Sequence, residues 1–306
     1  MTKYISIADA MKKGSGKVAV RGWIYRERGS NKMKFIVLRD SSDIIQCVLT
    51  REKFDLQWGE LDKLKIESSI ELEGTIKKDD RAPTGFEINA DSINIIHIAE
   101  DYPINKDVNE ELLGDRRHLW LRSRKMTASM KIRSTVLFGL HECAHKLGFT
   151  EIHAPSMSGA ASEGGSEVFE VGYFGKKAYM TQSWQFYAEN FINAVEKAYA
   201  IAPSFRAEKS KTPWHVTEFW HFELEGAEKC IVYVIEKVLK ENKRELEILE
   251  ADIDMLKKVK APLKRITYAE AIKTLQKKNH KIKQGDDFGS AEERGLAKYY
   301  GDNFIF

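Results

Sequence analysis

His141-Glu142-Cys143-Ala144-His145 is an H-E-x-x-H sequence within a helix-forming stretch of this 306-residue chain. On a helix that spacing puts two imidazoles on one face, with a glutamate placed to act as general base on a zinc-bound water. A catalytic zinc wants a third protein ligand. Glu163 follows Gly148, Pro155, Ser156 and Gly159, a strand-and-loop stretch with no second helix to present it. The expectation is two exposed histidines flanking a buried stripe, with no zinc.

A denser set lies further along. Glu163-Gly164-Gly165-Ser166-Glu167 places a carboxylate among paired glycines, suited to a small cationic group held close to backbone. Thr181-Gln182-Ser183-Trp184-Gln185 sets two amides ahead of a helix, as a site reading polar ligand edges would. Phe205-Arg206-Ala207-Glu208-Lys209-Ser210-Lys211-Thr212 is followed by His215-Val216-Thr217-Glu218-Phe219. An arginine, a basic loop and an aromatic ring together suit a nucleotide, because guanidinium clamps phosphate bidentately and aromatic faces stack bases. Singly these signals are weak, since Arg/Glu pairs usually form surface salt bridges. Their order and spacing make the case.

Two kinds of element must position these groups. From Lys17 to Ile98 the chain reads as strands between turn residues: Lys17–Arg21, Lys34–Arg39, Ile44–Leu49, Ile66–Lys77 and Phe86–Ile98. Five strands in so short a stretch predict a small barrel, with the OB-fold as leading candidate. Glu100 to Asp115 is charged, contains proline and reads as a linker. Beyond it helices mix with strands, giving an α+β chain. Ile132, Val136, Leu140, Cys143 and Leu147 form one helical stripe ended by Gly148. A second helical pattern covers Gln185–Ala200. A long charged one runs from Glu228 to about Lys260, with a heptad of Ile235, Leu239, Leu246, Leu249, Ile253 and Leu256 broken at Asn242. Packing within the domain is the expectation there, with coiled-coil pairing as the alternative.

Composition narrows the class. Apolar residues are 42% and charged residues 31%, which supports real cores. Three scattered cysteines, Cys47, Cys143 and Cys230, exclude a disulfide scaffold and a four-cysteine zinc site, and suit a reducing cytosol. The start has no apolar signal-peptide core, and no run is long enough for a membrane helix. A cytoplasmic protein is expected. The net charge is +3, but the first fifty residues alone carry ten Lys/Arg against four Asp/Glu, a hint of a polyanionic partner.

Together these motifs resemble the class II aminoacyl-tRNA synthetases of the aspartyl/asparaginyl subgroup, most closely the asparaginyl enzymes of archaea and eukaryotes. The resemblance runs from about Lys17 to Phe306. Arg117-His118-Leu119-Trp120-Leu121-Arg122 looks like the subgroup's entry into the catalytic domain. Gly148-Phe149-Thr150-Glu151-Ile152-His153-Ala154-Pro155 looks like motif 1, and Phe205 through Phe219 like motif 2. The family implies an OB-fold anticodon-binding domain over 1–100, a hinge over 101–118 and an antiparallel-sheet catalytic domain over 119–306. It also implies a homodimer through the region of Pro155. The H-E-x-x-H helix is then the one leading into motif 1.

The resemblance implies roles as well. Arg206 would contact the α-phosphate of ATP and the amino acid's carboxylate, Glu208 and His215 would help hold ATP, and Phe219 would stack on adenine. Glu163 and Gln185 would bind the ammonium group, and Mg2+ would accompany ATP. Phe35 would stack on an anticodon base and Gln46 would hydrogen-bond the anticodon's central uridine in tRNA(Asn). Aspartyl enzymes carry a lysine where this chain has Ala188, so a second carboxylate would enter unpaired. In His221-Phe222-Glu223-Leu224-Glu225 an acidic group, Glu225, would accept from the carboxamide; asparagine is favoured over aspartate. Two departures are expected to matter. The loop reads Thr212-Pro213-Trp214-His215 where the subgroup has two arginines, and motif 3, with its ATP-contacting arginine and preceding acidic metal ligands, is absent. A synthetase-like tRNA-binding protein without activation chemistry is therefore the alternative to an asparagine–tRNA ligase fragment or split half, with an aspartyl enzyme and a zinc protease behind.

Overall fold

The computed structural model describes residues 3–104, 109–159, 168–209, 216–224, 227–301 and 304–305. Two compact units form, Met1–Trp120 and Leu121–Phe306.

In the first unit a short helix, α1 (Ile7–Lys13), precedes five strands: β1 (Gly16–Gly29), β2 (Met33–Arg39), β3 (Ile44–Thr50), β4 (Ser69–Lys78) and β5 (Phe86–His97). They close into a barrel in the order β1-β2-β3-β5-β4, with β3 and β5 parallel and the other pairs antiparallel. Alternation decides which side faces in. On β2, Ile36 and Leu38 are buried while Phe35, Val37 and Arg39 point outward and are half-buried. Ile24, Ile45, Leu49, Ile70, Leu72, Ile76 and Ile88 fill the interior, and Ile7 of α1 joins them. Ser6 caps α1 by accepting the Asp9 N–H at 3.1 Å, and Gly14, at φ 72°, ends it.

Between β3 and β4 run α2 (Arg51–Phe54), a 3-10 turn (Asp55–Gln57) and α3 (Trp58–Leu61), which the sequence reading did not anticipate. Two strand limits also move. β1 continues to Gly29, because a bulge between Ile24 and Arg26 breaks the alternation that sequence patterns rely on. β4 starts at Ser69 because Glu67, at φ 69°, turns the chain just after Ile66. The expected linker contains helix α4 (Glu110–Asp115), capped by the Asn109 side chain, followed by α5 (Arg117–Trp120).

The second unit opens with α6 (Arg124–Lys146), N-capped by Ser123. Then come β6 (Thr150–Glu151), β7 (Met157–Ser158), β8 (Glu170–Tyr173), β9 (Lys176–Met180), α7 (Gln185–Val195), β10 (Ala198–Phe205) and β11 (Glu218–Glu223). β10 pairs antiparallel with β11 and parallel with β6. Strands β7, β9 and β8 make a separate small sheet. The helix expected over Gln185–Ala200 stops at Val195. Glu196, at φ 59°, reverses the chain, and Ala198–Ala200 become buried strand.

The long charged helix is three helices: α8 (Ala227–Glu241), α9 (Lys243–Ile248) and α10 (Ile253–Lys258). Asn242 is buried at the first break. Their apolar side packs on α6, where Val234, Val238 and Leu246 meet Ile132, Val136 and Leu140, so packing inside the domain wins over coiled-coil pairing. The α6–α8 approach is close at Gly139, where a Cβ would come within 3.2 Å of Val234 Cγ2. A small end cluster follows. Here α11 (Tyr268–Lys277), opened by a Thr267–Glu270 capping box, packs on α12 (Ser290–Tyr300) around Ile272, Leu275 and Leu296. Strands β12 (Lys264–Arg265) and β13 (Phe304–Ile305) pair beside them.

Candidate functional site

On the barrel, cross-strand pairing aligns outward residues into two rows. One runs Arg28–Phe35–Val48–Asn89–Thr75–Lys17, and the next runs Arg26–Val37–Gln46–Glu87–Lys77. Phe35 and Gln46 therefore lie on one face in adjacent rows. Phe35 points outward and is no core residue, and the Arg28 guanidinium lies 5.2 Å from its ring centroid. Gln46 is 4% exposed, and its Nε2 donates to Glu87 Oε2 at 3.1 Å. Lys77 Nζ sits 3.0 Å from the other oxygen of Glu87. An aromatic ring, an amide of fixed orientation and flanking cations suit the reading of a splayed base. Arg28 and Glu87 were missed in the sequence. Arg28 belongs to the basic N-terminal block, but nothing local marks Glu87, which reaches Gln46 only through the parallel β3–β5 pairing.

In the second unit the β10–β11 hairpin carries the nucleotide-type residues. Arg206 directly follows β10, and its N–H donates to Thr217 O at 3.0 Å, extending the ladder toward the loop. Strand alternation puts Ala200, Ala202 and Ser204 on one face with Phe219, His221 and Glu223. The Arg206 guanidinium lies 5.6 Å from the Phe219 ring centroid, and the His221 ring lies 5.6 Å from Phe219. Ser204 Oγ and His221 Nδ1 are 3.4 Å apart, and His221 Nε2 and Glu223 Oε1 are 3.6 Å apart. Among the described residues, Arg206 Nε and Glu223 Oε2 are buried and have no hydrogen-bond partner. An unsatisfied buried donor and an unsatisfied buried acceptor are costly, and functional sites are where such costs persist.

Next to this face is a cavity of about 880 Å3, whose walls include Trp184, Gln185, Ala188, Glu223, Leu224 and Lys229. It brings Gln185 and Ala188, one turn apart on α7, to the end of β11. Gln185 spends its Nε2 on Glu189 Oε1 at 3.0 Å within the helix. Lys229 is exposed, and the neighbouring Glu228 carboxyl is held below the usual range by the Leu263 N–H and by Arg265. Glu208 is half-buried two residues past Arg206. Glu163, His215 and Glu225 lie outside the described residues, as does the 212–215 loop. Among the described residues, two acidic ones line the cavity, Glu223 at the end of β11 and Glu196 just past α7.

The side chains of the H-E-x-x-H helix are committed elsewhere. His141 Nδ1 is 2.9 Å from the Tyr199 hydroxyl, which also donates to Glu151 Oε2 at 3.3 Å. Both His141 and His145 meet the Tyr199 ring edge-on, with centroids 5.8 Å away. Tyr199 is fully buried, and burial, reinforced by Glu151, pushes its pKa up to about 12. His145 is exposed as expected, but His141 is half-buried against this tyrosine. Glu142 pairs with Lys237 at 3.0 Å and Lys146 at 3.1 Å, and hydrogen bonds from Lys237, Tyr233 and Lys146 hold its pKa at about 2. It is an ion-pair anchor between α6 and α8, not a base poised near neutrality.

That folded pKa lies below the 4.5 of an ordinary glutamate. The pairing therefore contributes stability above pH 4.5 and is lost as pH falls toward 2. Glu142→Gln is expected to melt below wild type at pH 7, with the gap closing across that window. Thermal midpoints over pH read this directly.

A family model described as tRNA synthetases class II (D, K and N) matches residues 109–305, and one described as OB-fold nucleic acid binding domain matches residues 18–96. Asparagine–tRNA ligase of Thermoplasma acidophilum is 42% identical over 316 residues, covering 99% of this chain and 73% of that protein. That of Thermococcus gammatolerans is 42% identical over 317 residues, covering 100% and 74%. The crystal structure of asparaginyl-tRNA synthetase from Pyrococcus horikoshii complexed with asparaginyl-adenylate superposes with a TM-score of 0.89 at 35% identity, covering 98% of this chain and 73% of that one.

Proposed function

Since the chain belongs to the class II tRNA synthetases, with an OB-fold unit ahead of the synthetase unit, we propose that it is an asparagine–tRNA ligase. It activates asparagine with ATP to the adenylate and passes the acyl group to tRNA(Asn). The observation that carries this reading is the common face of Arg206, Phe219, His221 and Glu223, set beside the cavity that holds Gln185 and Ala188.

In the first step the asparagine carboxylate attacks the α-phosphorus in line and pyrophosphate leaves. Arg206 meets the charge that develops between carboxylate and phosphate, and Phe219 offers the adenine a face. Catalysis is positioning plus electrostatic stabilisation, with no protein nucleophile. Glu208 and His215 help hold ATP, Glu163 and Gln185 hold the ammonium group, and Glu225 remains a candidate beside Glu223. ATP brings Mg2+ with it, as is general in this class. At Ala188 no cation offsets a substrate carboxylate, which favours asparagine over aspartate. Pro155 is exposed in the single chain and fits the proposed role at a homodimer contact. A cytoplasmic location is proposed on the cysteine content, and no helix among the described residues is long and apolar enough to cross a membrane.

Asparagine-dependent ATP–pyrophosphate exchange by this chain tests the activation step. Its absence, with tRNA binding retained, would replace the ligase reading by the binding-protein one. On the barrel, Phe35→Ala is expected to weaken tRNA(Asn) binding by about tenfold, since one base stack is worth about 1–3 kcal/mol. A filter-binding or anisotropy titration measures it.

A further inference from the structure

The outer face of β1 and β2 holds more than the Phe35 and Gln46 rows. Along it and at its end, four aromatic rings each have an arginine against them. Arg28 lies 5.2 Å from the Phe35 ring centroid, Arg26 5.4 Å from Tyr25, Arg39 5.6 Å from Trp23, and Arg21 5.5 Å from Tyr4. Interleaved arginine and aromatic side chains are what a surface needs to follow a single strand, stacking bases while neutralising phosphates.

The Trp23 end is built rather than incidental. Trp23 pairs with Arg39, which stands on the same outward side of β2 as Phe35. The Arg39 guanidinium makes two hydrogen bonds to Glu67, at 2.9 and 3.1 Å, with both side chains largely buried. The anchored guanidinium lies against the indole, and Trp23 remains 47% exposed. A cleft of about 520 Å3 opens beside it, lined by Tyr4, Arg21, Trp23, Ser41, Ser69 and Ile96 among others.

The acidic groups here are engaged. The Asp40 carboxylate accepts from the N–H groups of Ile7, Ser42 and Asp43 and from the Ser42 hydroxyl. Glu67 is taken by Arg39, and Glu71, opposite Arg21, accepts from Asn94 Nδ2 at 3.0 Å. A neutral ring therefore finds stacking surface without facing a free carboxylate from these groups. Phe35 and Arg39 are four residues apart on one strand, roughly 13 Å at the rise of a β-strand. That is the reach of about two to four nucleotides, depending on how far they unstack.

We propose that the Trp23 cleft is a second stacking subsite, taking a base of the same RNA a few nucleotides away from the base on Phe35. The proposal rests on the reading of the barrel as an RNA-binding unit. It extends that reading from one anticodon base to a track along β1.

The experiment measures affinity for an anticodon stem-loop RNA, intact and with single abasic nucleotides placed in turn through the loop. Wild type is compared with Trp23→Leu, Trp23→Phe and Phe35→Ala. Trp23→Leu is expected to bind about tenfold more weakly, with Trp23→Phe close to wild type because it keeps a stacking face. One abasic position other than the one sensed by Phe35 should reproduce the loss in wild type and cause no further loss in Trp23→Leu. Equal weakening for every loop would mark Trp23 as structural and overturn the proposal, as would wild-type binding by Trp23→Leu. Should the leucine variant not fold, Trp23→Phe decides: a smaller penalty at that abasic position supports the subsite, and an unchanged one overturns it. Failure of Phe35→Ala to weaken binding would instead bring down the RNA reading of the barrel, and the subsite with it. A Phe35 effect without a Trp23 effect removes the subsite alone.

Discussion

Replacing Arg206 with alanine is expected to lower asparagine-dependent ATP–pyrophosphate exchange by about 10²–10³-fold, the loss that follows removal of one group aimed at developing charge. The fold gives little reason for the side chain to be there otherwise. Among the described residues its Nε is buried without a partner, and its guanidinium lies 5.6 Å from the Phe219 ring. Leaving a buried donor unpaired costs about 1–3 kcal/mol. The alanine variant should therefore melt at or above the wild-type temperature while losing activity. The hairpin survives the change, since the ladder bond at this position is made by the Arg206 backbone N–H to Thr217. Arg206→Lys keeps a charge but not the planar fork, and should recover only a small part of the rate. A variant both inactive and unstable would show that the arginine holds the hairpin rather than the reaction.

The second large effect is expected at Glu223. Its Oε1 is 3.6 Å from His221, while Oε2 is buried at the edge of the 880 Å3 cavity and unpaired among the described residues. An ionised carboxylate only accepts, and the asparagine carboxamide has an NH2 to give. Glu223→Gln removes the charge from that hydrogen bond and turns one acceptor into a donor. Charge-assisted hydrogen bonds contribute about 1.5–3 kcal/mol, so the asparagine KM in pyrophosphate exchange should rise about ten- to a hundredfold. The ATP KM should stay near wild type. Equal increases for both substrates would remove Glu223 from the amino-acid pocket and return attention to Glu225.

What the sequence allowed one to see follows from how locally each feature is encoded. The strands around Val18, Phe35, Ile45 and Ile88 were legible because alternation and turn residues are local. Arg206 and Phe219 could be singled out as candidates because they sit in one stretch, but that β10 and β11 pair as a hairpin was not read from it. Where two neighbouring signals compete, local reading failed. Glu196 ends α7 in a left-handed conformation that glutamate rarely adopts, so Ala198–Ala200 read as helix although they are the buried start of β10. Asn242 was visible as a break in the heptad, but that it divides the helix was not. Residues joined only by tertiary pairing carried no signal. Glu87 reaches Gln46 across forty-one positions, and His141 reaches Tyr199 across fifty-eight. The H-E-x-x-H pattern misleads for the same reason: its partners are a tyrosine on β10 and a lysine on α8, far away in the chain.

The barrel's closure has a consequence for how this surface can vary. The row that leaves β1 at Arg28 passes through Phe35, Val48, Asn89 and Thr75 and returns to β1 at Lys17, on the same strand. A closed circuit of pairings has no loose end to absorb a slip. Inserting or deleting one residue within any of the five strands would invert inside and outside from that point, or force a compensating bulge elsewhere. Changes of length are confined to turns such as 30–32 and 79–85. The ring, the amide and the arginines on the outside can then be exchanged one side chain at a time, but they cannot drift along the strands.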